Sequence, residues 1–270
     1  MNLLMTEMRR AMHRRAVRAL IAIALVGCVM AGLISYLASA GKTVAQLRAG
    51  DGSPALVEHW WSAADHEGFL SVGMFFLFLG GFFGGATVAG AEWRAGTMTT
   101  VLTWEPRRLR LHSARVGSAA VLAFAISFGL QIVFLVSFLP SVILNGSSDG
   151  MDGWFLFDLA VVMVRTSAIT AAAAVLAVSL ATAARNTAFA IITLFTWLVV
   201  VEGLIRSLKP SLSGWLWGEN VATSMTWSRL ENVEVGHGPI VSAATLVVYL
   251  AVIAGGAAAS FHRRDIAAAT

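Results

Sequence analysis

The chain is 270 residues long; 57% of its residues are hydrophobic and only 13% are charged. Soluble domains carry about 25% charged residues, so this composition excludes an ordinary water-soluble globular protein. A net charge of +4 and a sequence pI of about 10.0 would also suit a nucleic-acid-binding protein. The basic residues, however, are distributed as in a membrane protein, and we expect membrane lipids, and no nucleic acid, as partners.

Six apolar stretches are long enough for a helix to cross the ~30 Å hydrocarbon layer. Backbone amides in lipid must be hydrogen-bonded within their own segment, so these stretches are predicted to be helices. The sequence predicts an all-α polytopic membrane protein with one transmembrane domain over residues 1–270. The predicted spans are Ala19–Ala40, Gly68–Ala91, Val116–Leu139, Phe155–Ala184, Thr187–Leu208 and Ile240–Phe261.

The first fifteen residues carry an amphipathic pattern that predicts an N-terminal interfacial helix at 1–15. Glu7 and several arginines occupy the polar side, as in a helix that lies in a membrane interface. The apolar face comprises Leu4, Met5, Met8, Ala11 and Met12. The alternative is a basic tail that only fixes topology. Ala38-Ser39-Ala40 resembles a signal-peptidase site, but the preceding apolar run is longer than a typical signal peptide core.

The distribution of basic residues predicts the orientation of the chain. If the N-terminus is inside, the inner segments hold thirteen of the nineteen Lys and Arg residues, the outer segments hold five, and Arg165 lies within a span. Lys and Arg are enriched in cytoplasmic loops, so both termini are predicted to be cytoplasmic. We expect a multi-pass protein of the cell inner (plasma) membrane.

The polar segment Glu92–Arg115 lies between the second and third spans. Its apolar residues fall mostly on one side of a helix. Pro106 disfavours helical geometry at Glu105, so a first helix over residues 92–104 should end near Trp104. Proline is well placed to open the next helix, which should continue into the third span. The predicted shape is therefore a short surface helix, a break and a second helix.

The order Glu92, Gly96-Thr97, Leu102, Pro106, Arg107-Arg108 and Arg115 resembles the signature of six-span permease subunits of ATP-binding-cassette exporters. Those families show an E-x-x-x-G-T run, then a leucine, a proline, an arginine and a downstream basic residue. The layout is similar as well, with a basic N-terminal helix, six spans, both ends inside and a longer outer segment before the last span. Arg115 departs from the pattern, since lysine is frequent there; the charge is kept but its geometry changes.

The resemblance implies that residues 92–104 form a cytoplasmic coupling helix that sits in a cleft of an ATPase subunit. It implies export, with two ATPase copies and a second permease half, either this chain or a homologue. The apolar, aromatic composition of the spans favours a hydrophobic or amphipathic substrate. The implied coupling residues are Glu92, Trp93, Gly96, Thr97, Met98, Val101, Leu102, Pro106, Arg107 and Arg108. The apolar members would face either the ATPase or the membrane.

The chain carries no phosphate-binding G-x-x-x-x-G-K-[ST] run. ATP and Mg²⁺ are therefore expected on the separate ATPase, and no cofactor or metal is expected on this chain.

Small residues line one side of the second span. Gly80, Gly81, Gly84 and Gly85 form two overlapping G-x-x-x-G pairs, a spacing that lets helix backbones approach closely. This glycine face packs either within one protomer or across a dimer interface.

Charged side chains inside spans are costly and need partners. Arg165 in the fourth span and Glu202 in the fifth differ in predicted depth by roughly 8 Å, which an arginine side chain can largely cover. We predict an ion pair between them, with Asp158 or Arg206 as further partners. The pair would serve either helix packing or a substrate or gating site.

Two outer segments are longer than a turn. Residues 209–238 contain Trp215, Trp217 and Trp227, which favours a re-entrant segment with short helices in the outer leaflet. The segment 41–67 contains His59 and His66 beside acidic residues, but nothing there matches a metal-ligand spacing, so a hydrated loop is predicted.

Three function classes fit a polytopic protein of this kind: an exporter permease, an intramembrane enzyme, and a channel or structural membrane protein. An intramembrane enzyme would need paired carboxylates, a His cluster or a Ser/His arrangement at membrane depth, and a channel would need polar rings along a pore. A structural membrane protein would have no ATPase partner. Among these classes, the sequence favours a non-enzymatic exporter permease.

Overall fold

The computed structural model describes residues 3–50, 53–60, 69–227 and 237–263. Within these ranges the regular elements are helices, and the β contact they contain is an isolated bridge between Leu56 and Ser147. Parts of the predicted elements lie outside the described residues. These parts are residues 1–2 of the interfacial helix, residue 68 of the second span, residues 51–52 and 61–67 of the first outer segment and residues 228–236 of the second.

Six helices in the described part of the chain are long and apolar enough to cross a membrane, which confirms the prediction of an all-α multi-pass membrane protein. In chain order the helices are α1 (Leu3–Met12), α2 (Arg15–Ser39), α3 (Val44–Arg48), α4 (Phe69–Arg94), α5 (Met98–Trp104), α6 (Arg108–Asn145), α7 (Gly153–Ala184), α8 (Thr187–Phe195), α9 (Glu202–Leu208), α10 (Trp217–Thr226) and α11 (Pro239–Arg263). The candidate spans are α2, α4, α6, α7, the continuous run from α8 to α9, and α11.

Two spans differ from the prediction. α6 runs on through Pro140 to Asn145, because a proline is tolerated in a membrane helix where neighbouring groups satisfy the freed carbonyl. The fifth span contains a π-helical segment, Thr196–Val201, between α8 and α9. Hydrophobic periodicity cannot reveal it, since a run of apolar residues fits an α- or a π-helical register equally well.

α7 is the central helix of the bundle and packs against α4, α6 and α11. Small residues of α7 meet the glycine face of α4. A Cβ atom at Gly81 would lie 2.6 Å from the backbone oxygen of Thr170, and one at Gly85 would overlap Ala174. Gly81 and Gly85 therefore pack within the protomer, whereas Gly80 and Gly84 border open space.

One end of the bundle, which we call the α5 end, gathers α1, α5, the last turn of α4 and the last turn of α11. Trp93 of α4 stacks edge to face on Phe261 of α11, with ring centroids 6.3 Å apart. The guanidinium of Arg185, just after α7, lies over the same Trp93 ring, 5.0 Å from its centroid. The α5 end thus brings together all the loops that the charge distribution predicted to be on one side.

At the opposite end, residues 43–50 and 53–60 make tertiary contacts rather than form the predicted hydrated loop. Thr43 caps α3 through a capping box, and Trp60 is buried, with its indole N–H donating to the Pro54 carbonyl oxygen at 2.7 Å. Arg48 pairs with Glu58 at 2.7 Å and with Asp149, beyond α6, at 3.0 Å. The loop prediction was based on polar composition and missed these tertiary contacts.

Candidate functional site

The segment predicted as one helix over residues 92–104 consists of two elements. α4 continues through Glu92 and Trp93 and ends in a Schellman motif, in which the Gly96 N–H donates to the Trp93 oxygen at 3.3 Å and the Thr97 N–H donates to the Glu92 oxygen at 3.1 Å. Gly96 has a φ of 66°, the left-handed conformation that glycine adopts without a Cβ clash. The predicted bounds are therefore wrong, because Glu92 and Trp93 belong to α4 and the short helix begins at Met98.

The break at Pro106 is confirmed. α5 ends at Trp104, and Glu105 is extended, with φ −133° and ψ 91°. α6 begins at Arg108. The Glu105 carboxylate accepts the Arg107 N–H at 3.3 Å and pairs with Arg110 at 3.2 Å, so the residues of the break orient one another.

The apolar side of α5 packs on this chain, a contact that neither of the two sequence alternatives, a partner or lipid, had included. Buried Met98 meets buried Leu111 of α6 and Phe261 of α11. The half-buried members of the same contact are Trp93, Val101 and Leu102. These predicted coupling residues therefore anchor α5 to α4, α6 and α11.

The other side of α5 and the first turn of α6 form an exposed surface, which we call the α5 surface. It comprises Thr97, Thr99, Thr100, Thr103, Trp104, Pro106, Arg107, Leu109 and Arg110. Trp104 is 87% exposed, and two arginines of the same surface, Arg107 and Arg110, follow it three and six residues later. Exposed aromatic and arginine side chains are enriched in protein-binding surfaces.

A cluster of charges lies next to α5, with Glu7, Glu92 and Arg115 buried, Arg14 half-buried and Arg10 exposed. Its members are Glu7, Arg10, Arg14, Glu92 and Arg115. Arg115 pairs with Glu92 and lies 3.4 Å from Glu7. The other oxygen of Glu92 lies 2.8 Å from Arg14 and 3.1 Å from Arg10, which in turn pairs with Glu7 at 2.7 Å. The cluster thus contains two carboxylates and three guanidinium groups.

This ion cluster joins four elements that are distant in sequence. Glu7 comes from α1, Arg14 precedes α2, Glu92 lies at the end of α4, and Arg115 lies in the second turn of α6. Arg115 also reaches α5, since its Nη1 lies 3.5 Å from the Met98 sulfur. The cluster therefore fixes the position of α5 relative to the bundle.

The sequence identified Glu92 and Arg115 as parts of a signature, but it did not predict that they pair. The roles of Glu7, Arg10 and Arg14 were missed altogether. One signal was available: Glu7 is the only acidic residue before Asp51, and a lone acid on a basic amphipathic helix needs a partner wherever that helix is packed.

Arg165 and Glu202 do not form the predicted ion pair. Glu202 is completely buried; it accepts hydrogen bonds from the Trp197 indole at 3.0 Å and from the Gly218 N–H, and it lies 3.7 Å from Arg206, one of the alternative partners. The Arg165 guanidinium lies instead over the ring of Trp227, at 4.2 Å. The prediction failed because α10 comes between the two helices that were expected to pair directly.

Local geometry explains the partners of Glu202. In the π-helical register the Glu202 N–H bonds to the Trp197 oxygen five residues earlier, which places the Trp197 side chain beside the carboxylate. The carboxylate caps the N-terminus of α10, where backbone N–H groups lack partners within the helix. A Cβ atom at Gly218 would lie 2.6 Å from this carboxylate, so a larger residue there would displace the carboxylate.

α10 lies beside the middle of the spanning helices. Its Trp217 contacts Phe78 of α4 with ring centroids 5.2 Å apart, about 14 Å along α4 from the start of that helix. Trp227 contacts Arg165 about 18 Å along α7 from its start. α10 thus lies at this depth, and the place of residues 209–238 in the outer leaflet stays a prediction.

The site combines an exposed surface on a helix that is too short to span a membrane with an ion cluster that fixes this helix. In the ranges that the structure describes, no group of three or more His, Cys, Asp or Glu side chains is placed to hold a metal ion. In comparisons with known proteins, no protein-family model and no curated protein matches this chain.

Proposed function

We propose that this chain is the permease half of an ATP-binding-cassette exporter, which moves a hydrophobic or amphipathic substrate outward while a separate ATPase subunit hydrolyses ATP. The α5 surface is the observation that carries this proposal. It stands on a seven-residue helix whose apolar side is already occupied by its own chain, so its exposed side is free for a partner. In this proposal the α5 end and both termini are cytoplasmic.

The connections of α5 suit the transmission of movement. α5 follows α4 after a three-residue turn and precedes α6 after another, and its buried Met98 touches Arg115 and packs with Phe261. Packed helices move as rigid elements, because a close-packed interior is not continuously deformable. A displacement of α5 would therefore be passed to α4, α6 and α11.

The charge of the α5 surface indicates the kind of surface it would meet. Arg107 and Arg110 are exposed beside Trp104, and Glu105, on the inner side of the break, orients Arg110. A complementary partner would offer acidic side chains around an apolar cleft that accepts an indole. ATP and Mg²⁺ would bind that partner, in two copies for a permease pair.

The proposal is tested by co-purification with the ATPase encoded next to this chain and by substrate-stimulated ATP hydrolysis. Trp104→Ala combined with Arg107→Glu is expected to weaken retention of the ATPase about tenfold or more, since truncation of a central hot-spot residue costs ~2 kcal/mol or more. Both side chains are exposed, so expression and helix content should be unchanged.

The matched control is Trp215→Ala combined with Lys209→Glu, which removes an exposed tryptophan and reverses an exposed cation at the opposite end of the bundle. This variant is expected to retain the ATPase. Equal losses in both variants, or a purified protein that never carries an ATPase, would overturn the proposed function in favour of a structural membrane protein or an intramembrane enzyme.

A further inference from the structure

An open cavity of about 900 Å³ lies beside the ion cluster at the α5 end. One wall is basic and comes from α1 and the turn after it; it consists of Arg9, Arg10, His13 and Arg14. The opposite wall is the end of α4, with Ala91 and Glu92. Glu92 is already shared by three arginines of the ion cluster, so the cavity retains an excess of positive charge, to which exposed Arg9 adds.

A long apolar groove begins next to this cavity, between α2 and α4. α2 packs mainly against α6, and α4 packs mainly against α7, so α2 and α4 contact each other at only a few positions. The groove consists of a part of about 110 Å³ near Val17 and Val88 and a part of about 760 Å³ beyond it. Both parts share the lining residues Leu20, Phe76 and Gly80, so they are continuous.

The cavity and the groove adjoin. Arg14 lines the cavity and Val17 lines the groove, and on the facing helix Ala91 lines the cavity and Val88 lines the groove. Arg14 and Val17 are three residues apart, as are Val88 and Ala91, which corresponds to about 4.5 Å along a helix axis at 1.5 Å per residue. From Val17 to Ala31 the groove follows α2 for about 21 Å, which exceeds one leaflet of a ~30 Å hydrocarbon layer.

We propose that this cavity and groove together bind one anionic phospholipid, with its phosphate among Arg9, Arg10, His13 and Arg14 and one acyl chain between α2 and α4. The site does not depend on the proposed exporter function. A second copy of this chain is a poorer occupant, because it would bring the same basic α1 and not the missing negative charge.

The electrostatics of Arg14 agree with an anion at this place. Burial lowers the pKa of Arg14; Glu92 opposes this change, and the neighbouring charges of Arg10 and Arg115 add to it. A phosphate would favour the charged form of Arg14 and form charge-assisted hydrogen bonds with the exposed arginines. The glycine at position 80 leaves open space at its Cβ position, which keeps the groove wide enough for a chain.

The test is native mass spectrometry of the full-length protein released from detergent, with phosphatidylglycerol or phosphatidylcholine of identical acyl chains. Phosphatidylglycerol is expected to bind about tenfold more tightly, since each basic residue near an anionic headgroup favours it. Arg9→Gln combined with His13→Gln should reduce its binding to the level of phosphatidylcholine. The matched control, His262→Gln combined with Arg263→Gln, changes an exposed His and Arg at the end of α11 and should have no effect.

A second variant tests the groove. Gly80→Leu is expected to weaken the binding of both lipids by a similar factor, about tenfold, because the side chain fills the groove that the acyl chain needs. Gly255→Leu, at an exposed glycine of α11 with open space around it, is the control and should change neither. Because the headgroup variants alter only exposed side chains, they decide the proposal even if Gly80→Leu fails to fold.

Three results would overturn the proposal. Equal binding of the two lipids would show that the basic wall does not select an anion. Displacement of phosphatidylglycerol by soluble glycerol 3-phosphate would show a site for free phosphate that makes no use of the groove. A change of oligomeric mass in Gly80→Leu, with lipid binding unchanged, would show that the groove is an interface between copies. Loss of the ATPase would affect none of these measurements, so the two proposals fail independently.

Discussion

Arg115 is almost completely buried, and yet it carries a charge. Two carboxylates from different helices, Glu7 and Glu92, compensate it. A buried ion pair contributes little net stability when complete, since desolvation offsets much of the attraction, but removal of one partner leaves an uncompensated charge. The ion cluster is therefore a requirement for one particular packing of α1, α4 and α6 and not a general source of stability.

Glu92→Gln is expected to destabilise the protein by about 3–5 kcal/mol, because Arg115 and Arg14 lose their shared counter-ion while they stay buried. The measurement is denaturant unfolding in detergent followed by tryptophan fluorescence. The double variant Glu92→Gln, Arg115→Met should lose less than the sum of the two single changes, with a coupling energy of about 0.5–3 kcal/mol.

The control for this prediction is Glu105→Gln, which removes a partner of the exposed Arg110 and should change stability by no more than about 1 kcal/mol. If Glu92→Gln behaves like Glu105→Gln, the cluster is not coupled to folding.

At the scale of the element, the parts that could be predicted are those with local causes. Pro106 ends α5 through a steric constraint on the preceding residue, and six apolar stretches become six spanning helices because lipid leaves their backbone no other partner. The second span was predicted to end at Ala91, and the last residues of α4 were assigned to the same helix as α5, because the helical pattern continues through Gly96. Only the hydrogen bonds of the Schellman motif reveal the turn between the two helices.

The remaining elements depend on contacts between segments distant in sequence. Glu202 seemed to need Arg165 because both are charged and lie at similar depths, but the N-terminus of α10 satisfies the carboxylate. The tryptophans of residues 209–238 favoured a re-entrant segment, but no local pattern shows that the N-terminus of α10 meets Glu202. The ion cluster was unpredictable for the same reason. Glu7 and Arg115 lie 3.4 Å apart, but two spans separate them in the sequence.

Gly96→Ala is expected to destabilise the α4–α5 turn by about 1–2 kcal/mol, the cost of a left-handed conformation for a residue with a Cβ atom. There is open space around Gly96, so the loss reflects backbone strain and not a clash. Unfolding in detergent measures it, and ATPase retention should fall as well if α5 is displaced. The control Gly255→Ala, in the helical interior of α11, should stabilise by up to ~1 kcal/mol; equal effects of the two changes would contradict the assigned turn.

At the scale of the whole molecule, two helix pairs, α4–α7 and α2–α6, form a large part of the bundle. α4 packs on α7 through glycine, and α2 packs on α6; the groove lies between the pairs. Glycine contacts make the α4–α7 pair tight, because the backbones approach without side chains between them. Gly81 and Gly85 thus have the packing role of the glycine face, and the dimer role stays a prediction for Gly80 and Gly84.

Gly85→Ala and Gly84→Ala separate these two roles. Gly85→Ala places a methyl group into the backbone of Ala174 and is expected to destabilise the monomeric fold by about 1–3 kcal/mol, as overpacking does. Gly84→Ala meets open space and should gain up to ~1 kcal/mol from helix propensity. Unfolding at two protein concentrations, together with the oligomeric mass in detergent, measures both. If Gly85→Ala changes the oligomeric mass, or if its loss of stability depends on protein concentration, the Gly85 side of α4 contacts a second copy and α7 is not its partner.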